Sequence, residues 1–387
     1  MDKPTTKYDW RFFGRVALKT GLLFLLCNLL FALTLPLEPL GRLSLYNVFF
    51  PGRERLPYGE NPAVAYNLSL FNVPAMLASH AINQTKPPDE ARVVLLGDSN
   101  TWGWFLENGE TLAGQMNALG AQDIHGRGIT TYNLGYPIMS LTKDLMFMEE
   151  ALAHEPDLIV WLVTLESFPR EKQLFAPIVQ NNPLRIRPLI AQYQLDLDPQ
   201  DERFVDPQGW ERSIVGQRRN LADLMRLQQY GVSWAATGVD QLIPPAAEIP
   251  LRQNDLAADV SWQDFAEPTA LTAENLALEV LAAGVEMASA AGVPVLIVNE
   301  PMFVADGANS DLRYNSFYPR WAYDQYRVLL GDTAVANDWV YRDWWDVVPP
   351  AEFTDTPVHL SPAGAARVAE LLMNEVQAWF DNTAVDG

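Results

Sequence analysis

Val93-Val94-Leu95-Leu96-Gly97-Asp98-Ser99-Asn100-Thr101-Trp102-Gly103 is the stretch that decides the fold. Four consecutive apolar residues, two of them β-branched, predict a strand buried on both faces, the pattern of a parallel sheet covered by helices. Gly97 ends that strand, and an acid, a hydroxyl and a helix-capping type of residue follow at once. Ser99 is therefore expected on the tight turn between the strand's carboxyl end and the next helix's amino end, where open α/β sheets place their ligands. There it lies beside the partial positive charge of a helix start, with backbone N–H groups pointing outward.

Working outward, the alternation of strands and helices continues. Residues 111–119 predict a helix, and 129–134 a second strand that runs into Asn133-Leu134-Gly135-Tyr136-Pro137. Residues 141–154 carry helical apolar spacing at Leu145, Met148 and Leu152, stopped by Glu155-Pro156-Asp157, and 158–163 form a third buried strand. After an interruption come a helix at 276–291, a strand at 293–298, an aromatic-rich helix at 318–330 and a short strand at 340–341. A last helix is expected over 362–380, with Pro362 in its first turn and Ser361 as its cap. Polar residues at the end of a parallel strand face the same mouth as Ser99, which makes Asn299 and Glu300 candidate substrate contacts. The predicted architecture is a three-layer α/β/α sandwich with a mostly parallel five-stranded sheet, flavodoxin-like in order.

The chain has 387 residues and a formal net charge of −21. That acidity argues against nucleic acid or a bulk anionic surface as the main partner. The single cysteine, Cys27, excludes an internal disulfide and a cysteine-based metal cluster, and is read as a small buried hydrophobe.

Residues 20–37 carry no charge, close to the lower limit for a helix crossing the hydrocarbon core, and Lys3, Lys7, Arg11, Arg15 and Lys19 all precede them. This bias predicts an uncleaved signal anchor, a single-pass cell-membrane protein with residues 1–19 cytoplasmic and everything after Leu37 extracytoplasmic. A cleaved signal peptide is the weaker reading, because no Ala-x-Ala site follows the apolar run. Residues 38–90, rich in turn formers, read as a lead-in with a short helix near 75–80.

Residues 169–268 interrupt the alternation and are expected to form a lid or subdomain inserted in a core of residues 91–168 and 269–382. The insertion carries Ile214, Leu221, Leu224, Met225 and Tyr230 with Arg212, Arg218, Arg219 and Arg226 between them, a basic amphipathic helix closed near Trp234–Gly238. Two roles stay open for it: meeting a lipid headgroup or anionic substrate, or packing on the core with its arginines paired to surface acids.

Gly97-Asp98-Ser99-x-Thr101-x-Gly103 after a hydrophobic strand resembles the first block of the SGNH (GDSL-type) hydrolase superfamily, in which that serine is the nucleophile. The resemblance implies that the N–H groups of Ser99 and Gly135 bind an oxyanion. It also implies a Gly-x-Asn-Asp block after the third strand, but this chain has Val163-Thr164-Leu165-Glu166, with leucine in place of the asparagine. Loss of one such donor costs about a hundred- to a thousandfold in rate, and Thr164 or a backbone N–H is the candidate replacement. The last block of the family, Asp-x-x-His before the final helix, is matched by His359 in His-Leu-Ser-Pro-x-Gly. Asp355 stands four residues before it rather than three, with Asp343 and Asp346 as alternative acids. The chemistry implied is acyl transfer by Ser99, His359 and Asp355, needing no metal or organic cofactor. The resemblance points to a serine esterase or O-acyltransferase acting on an acylated cell-envelope glycan or lipid, beside a membrane O-acyltransferase partner. The alternatives are an accessory subunit that has lost hydrolysis and a lysophospholipase-like lipid esterase.

Overall fold

The computed structural model describes residues 9–41, 43, 45–50, 71, 73–77, 80–241 and 251–383. Much of the turn-rich lead-in expected over 38–90, residues 51–70 included, lies outside the described residues. Five strands, β1 (Glu90–Leu96), β2 (Gly128–Asn133), β3 (Leu158–Val163), β4 (Val295–Asn299) and β5 (Val340–Asp343), form one sheet in the order β2-β1-β3-β4-β5. Every pairing is parallel. The strand order reverses beside β1, so the residues just after Leu96 sit at the topological switch point of the sheet.

The sheet is buried on both faces because its side chains divide between two cores. Leu95, Val160, Leu162, Leu296 and Val298 share one core with Leu112 and Met116 of α3 (Leu112–Ala118) and with Leu372 and Val376 of α9 (Pro362–Thr383). Their neighbours Val94, Leu96, Ile159, Trp161 and Ile297 share the other with Leu145 of α4 (Leu141–Leu152), Leu281 of α7 (Leu278–Ala290) and Tyr326 of α8 (Arg320–Ala336). The period of two along each strand thus produces the three layers. α2 (Ser99–Trp102) is the short helix that β1 feeds.

α1 (Trp10–Thr34) is 25 residues long and, among the described residues, the one helix long and apolar enough to cross a membrane. It begins ten residues before the uncharged stretch, capped by Asp9, so Arg11, Arg15 and Lys19 lie on the helix itself. Cys27 is exposed on α1 rather than buried, because α1 stands clear of the sheet for most of its length.

The insertion behaves as two parts. Ile186, Leu189 and Ile190 of α5 (Pro183–Tyr193) join the core that holds α4. The basic helix, α6 (Arg218–Thr237), instead meets the amino-terminal segment: Leu227 packs with Tyr46 of the short helix Leu45–Phe49, flanked by Phe50, Trp234 and Ala235. The Leu45 N–H donates to Gln228 Oε1 at 2.7 Å, and the Tyr46 hydroxyl donates to Asp240 Oδ2 at 2.6 Å.

Packing of α7 on β3 is close enough to test. A Cβ on Gly284 would fall 2.3 Å from Cζ3 of Trp161. Gly284→Ala should therefore lower stability by about 1–3 kcal/mol through overpacking, read as a lower denaturant midpoint with the fold retained. An unchanged midpoint would show that the helix–sheet contact is looser than described.

Candidate active site

The turn after β1 is built from close approaches. A Cβ on Gly97 would fall 2.2 Å from Thr101 Oγ1, and one on Gly135 would fall 2.4 Å from the backbone nitrogen of Trp102. Only glycine fits at either strand end once α2 is in place. Asp98 caps α2 by accepting from the Asn100 N–H at 3.0 Å, which leaves Ser99 at the first helical position. Its own N–H has no acceptor within a helix there.

Beneath this turn lies a buried polar cluster. Lys143 of α4, with no side-chain exposure, donates to the carbonyl of Gly97 at 2.7 Å, to the carbonyl of Tyr136 at 3.2 Å and to Asp144. Asp144 also accepts from the Trp161 indole at 3.1 Å. Burial pushes the Asp98 carboxyl up, offset in part by the Asn100 N–H and the Lys143 charge. Burial and then the Asp98 charge push Glu300 well above the usual carboxylate range.

The carboxyl-terminal histidine reaches Ser99 from a hairpin. Phe353 and Leu360 form an antiparallel bridge, the Thr354 N–H donates to the His359 carbonyl at 2.9 Å, and the Thr356 hydroxyl accepts from the His359 N–H at 3.2 Å. The closed loop brings Asp355 Oδ1 within 2.8 Å of His359 Nδ1 despite the four-residue spacing. His359 Nε2 lies 2.9 Å from Ser99 Oγ. Burial, the largest single influence, works against the Asp355 carboxylate, but the hydrogen bond to His359, the His359 charge and bonds from its own backbone and Thr354 together outweigh it and hold its pKa below the usual value. An ionised carboxylate only accepts, so Nδ1 carries the proton and Nε2 is left to accept from the Ser99 hydroxyl. Ser99 and His359 are each 8% exposed, enclosed but reachable.

The other expected site residues fall differently. Gly135 lies against α2, yet its N–H donates to Asn133 Oδ1 at 3.0 Å. The Thr164 side chain is fully buried, and its hydroxyl shares a 2.8 Å hydrogen bond with the Tyr318 hydroxyl, so it does not replace the missing asparagine. Asn299 and Glu300 do not line the mouth: both are fully buried. Asn299 donates to Asp343 at 2.8 Å and accepts from the Tyr326 hydroxyl at 3.1 Å, which ties the ends of β4 and β5 to α8. Glu300 accepts from Asn100 Nδ2 at 3.0 Å, under the serine turn. Asp343, one of the alternative acids, is engaged by Asn299 and Arg327 instead of His359. Sequence reasoning missed Trp104, whose ring stacks on His359 at 5.5 Å and 19°. It also missed Trp102, whose indole nitrogen is buried with no hydrogen-bond partner. The signal for both was a pair of tryptophans two residues apart, Trp102 inside the serine motif and Trp104 just after it. Among the described residues no cluster of His, Cys, Asp or Glu has the geometry of a metal site.

No protein-family model matches the chain, and no curated protein does. Solved structures that it is similar to include a GDSL-like lipase from Bacteroides thetaiotaomicron, at 11% identity and a TM-score of 0.40, covering 80% of this chain and 98% of that one. An arylesterase structure from Agrobacterium tumefaciens matches at 14% identity and 0.35, covering 74% and 99%. A carbohydrate acetylesterase family member from Sinorhizobium meliloti matches at 14% and 0.31, covering 75% and 99%.

The raised Glu300 gives a pH prediction. The folded chain keeps its proton, whereas the unfolded chain releases it above the ordinary value of 4.5, so this group lowers stability as pH rises past that point. Glu300→Gln keeps the acceptor for Asn100 without a titratable group. Its melting temperature relative to wild type should climb between pH 4.5 and neutrality, and a constant difference would mean that Glu300 is ionised in the fold.

Proposed function

We propose that this chain is a membrane-anchored serine esterase or acyltransferase of SGNH type, with Ser99 as nucleophile, His359 as base and Asp355 as the acid that orients it. The observation that carries this is the line Asp355–His359–Ser99, with hydrogen bonds of 2.8 and 2.9 Å joining residues from opposite ends of the sheet domain. Ser99 Oγ attacks the ester carbonyl carbon while His359 Nε2 takes the hydroxyl proton, and Asp355 stabilises the imidazolium. The tetrahedral oxyanion faces the Ser99 N–H at the start of α2, with the Gly135 N–H adjacent once Asn133 yields it. Collapse expels the alcohol, which leaves with the proton from His359, and forms the acyl-serine. Water or a second hydroxyl, deprotonated by His359, then releases the acyl group. The substrate class is an O-acylated glycan or lipid of the cell envelope, in reach of a domain held outside the membrane by α1.

A second reading is favoured by the occupied donors. The Thr164 hydroxyl and the Gly135 N–H are both engaged within the protein. A site short of oxyanion donors hydrolyses slowly, which suits an accessory subunit that completes its site beside a membrane O-acyltransferase.

Turnover of p-nitrophenyl acetate by the detergent-solubilised full chain separates the two. The esterase reading expects turnover, its loss to background in Ser99→Ala and His359→Ala, and a drop of up to about 10⁴-fold in Asp355→Asn. A folded wild type as inert as Ser99→Ala would overturn it in favour of the accessory reading.

A further inference from the structure

The proposed anchor leaves a contact that the esterase chemistry does not use. Arg212 Nε donates to the carbonyl of Ala32 at 2.8 Å, and the Val215 N–H donates to Asn28 Oδ1 at 3.2 Å. Both acceptors lie on α1. The Ala32 carbonyl would look to residue 36 for its helical donor, and that residue is Pro36, which has no N–H. Arg212 therefore caps an orphaned carbonyl at the end of the helix. Asn28 is buried while its neighbours Leu25, Leu26, Leu29 and Leu30 are exposed, which makes this contact the place where folded protein touches the apolar run.

Ala32 lies about 20 Å along the helix axis from Lys19, the last charge before the apolar stretch. A hydrocarbon core is about 30 Å thick, and Lys19 snorkelling toward the inner surface moves Ala32 to the outer boundary. The turn that holds Arg212 and Val215 thus sits at the outer edge of the bilayer. Its composition agrees with that position. Trp210 is 63% exposed, and Arg218 and Arg219 are exposed at the start of α6 in a protein of net charge −21, Arg218 with one Nη1 hydrogen bond to the Val215 carbonyl at 2.8 Å. The turn also satisfies much of its own backbone: Ser213 N–H donates to the Trp210 carbonyl, Gly216 N–H to Ser213 Oγ and Gln217 Nε2 to the Glu211 carbonyl. Low-dielectric surroundings demand such internal pairing.

We propose that residues 209–219 form a second membrane contact, a collar seated in the outer leaflet around the exit of α1, with Trp210 at the acyl–headgroup boundary and Arg218 and Arg219 on lipid phosphates. The proposal rests on α1 spanning the membrane. It gives the basic segment of the insertion a lipid-facing role, and it fixes the height of the sheet domain above the bilayer, which restricts the enzyme to esters presented near the membrane surface.

Spin labels test it in the full chain. In a Cys27→Ser background reconstituted into phosphatidylcholine–phosphatidylglycerol vesicles, single cysteines replace Leu25 in the span, Trp210 in the collar and Val335 on the exposed surface of α8. The expected result is oxygen access with loss of access to a water-soluble nickel complex at 25 and 210, and the reverse at 335. Trp210→Phe, a conservative change, should also remove part of the tryptophan quenching by brominated lipid. Lipid access at 25 with water access at 210, and unaltered quenching in Trp210→Phe, would overturn the collar while leaving the anchor intact. Water access at 25 would overturn both.

Discussion

A buried ammonium holds the site together. Lys143 Nζ bonds the carbonyl of Gly97 after β1 and the carbonyl of Tyr136 after β2, the two strand ends that flank α2. A buried charge is costly unless it is paired and fully hydrogen-bonded, and Lys143 has Asp144 beside it and two carbonyls as acceptors. The arrangement converts that cost into geometry, since the strand ends cannot part without stripping the cation of its partners. Three carboxyl groups, Asp98, Asp144 and Glu300, crowd around this single charge. Burial is the largest cause of the upward shift in each, with the Asp144 carboxyl pushed up to about 6 and Glu300 well above the usual range. The turn bearing Ser99 therefore rests on a cluster in which burial favours the protonated form of each carboxyl.

On this base the chain assembles a relay from distant parts. Ser99 comes from the first strand and His359 from the hairpin before the last helix, 260 residues apart in sequence. Trp104 stacks on the imidazole and closes one side, so the histidine is held by Asp355 from below and by an aromatic face beside it. Two groups expected to serve a developing oxyanion, the Thr164 hydroxyl and the Gly135 N–H, are engaged within the protein. That engagement is what sets the two proposed readings, esterase and accessory subunit, against each other.

The strands and the serine turn were legible because a doubly covered parallel sheet writes continuous apolar runs, and Val93–Leu96 and Leu158–Val163 are such runs. The pairing of Asp355 with His359 was legible from chemistry although the spacing was unusual, and the hairpin closed by Thr354 explains the extra residue. Asn299 and Glu300 were misplaced because strand-end polarity is ambiguous. The same residues serve a mouth or, as here, tie β5, α8 and the serine turn together from inside. Thr164 was misjudged for a related reason, since no local pattern announces that Tyr318 consumes its hydroxyl. The partner of α6 was likewise hidden. Its periodicity gave an apolar side but not what covers it, and the cover is the amino-terminal segment around Tyr46.

The central claim is that Ser99 is a nucleophile activated by its neighbours. Treating the folded full chain with a fluorophosphonate and locating the adduct by peptide mass spectrometry tests it most directly. The account predicts one phosphonylated residue, Ser99, with modification abolished by prior heat denaturation. A folded protein that takes up no phosphonate, or takes it up at another residue, would contradict it.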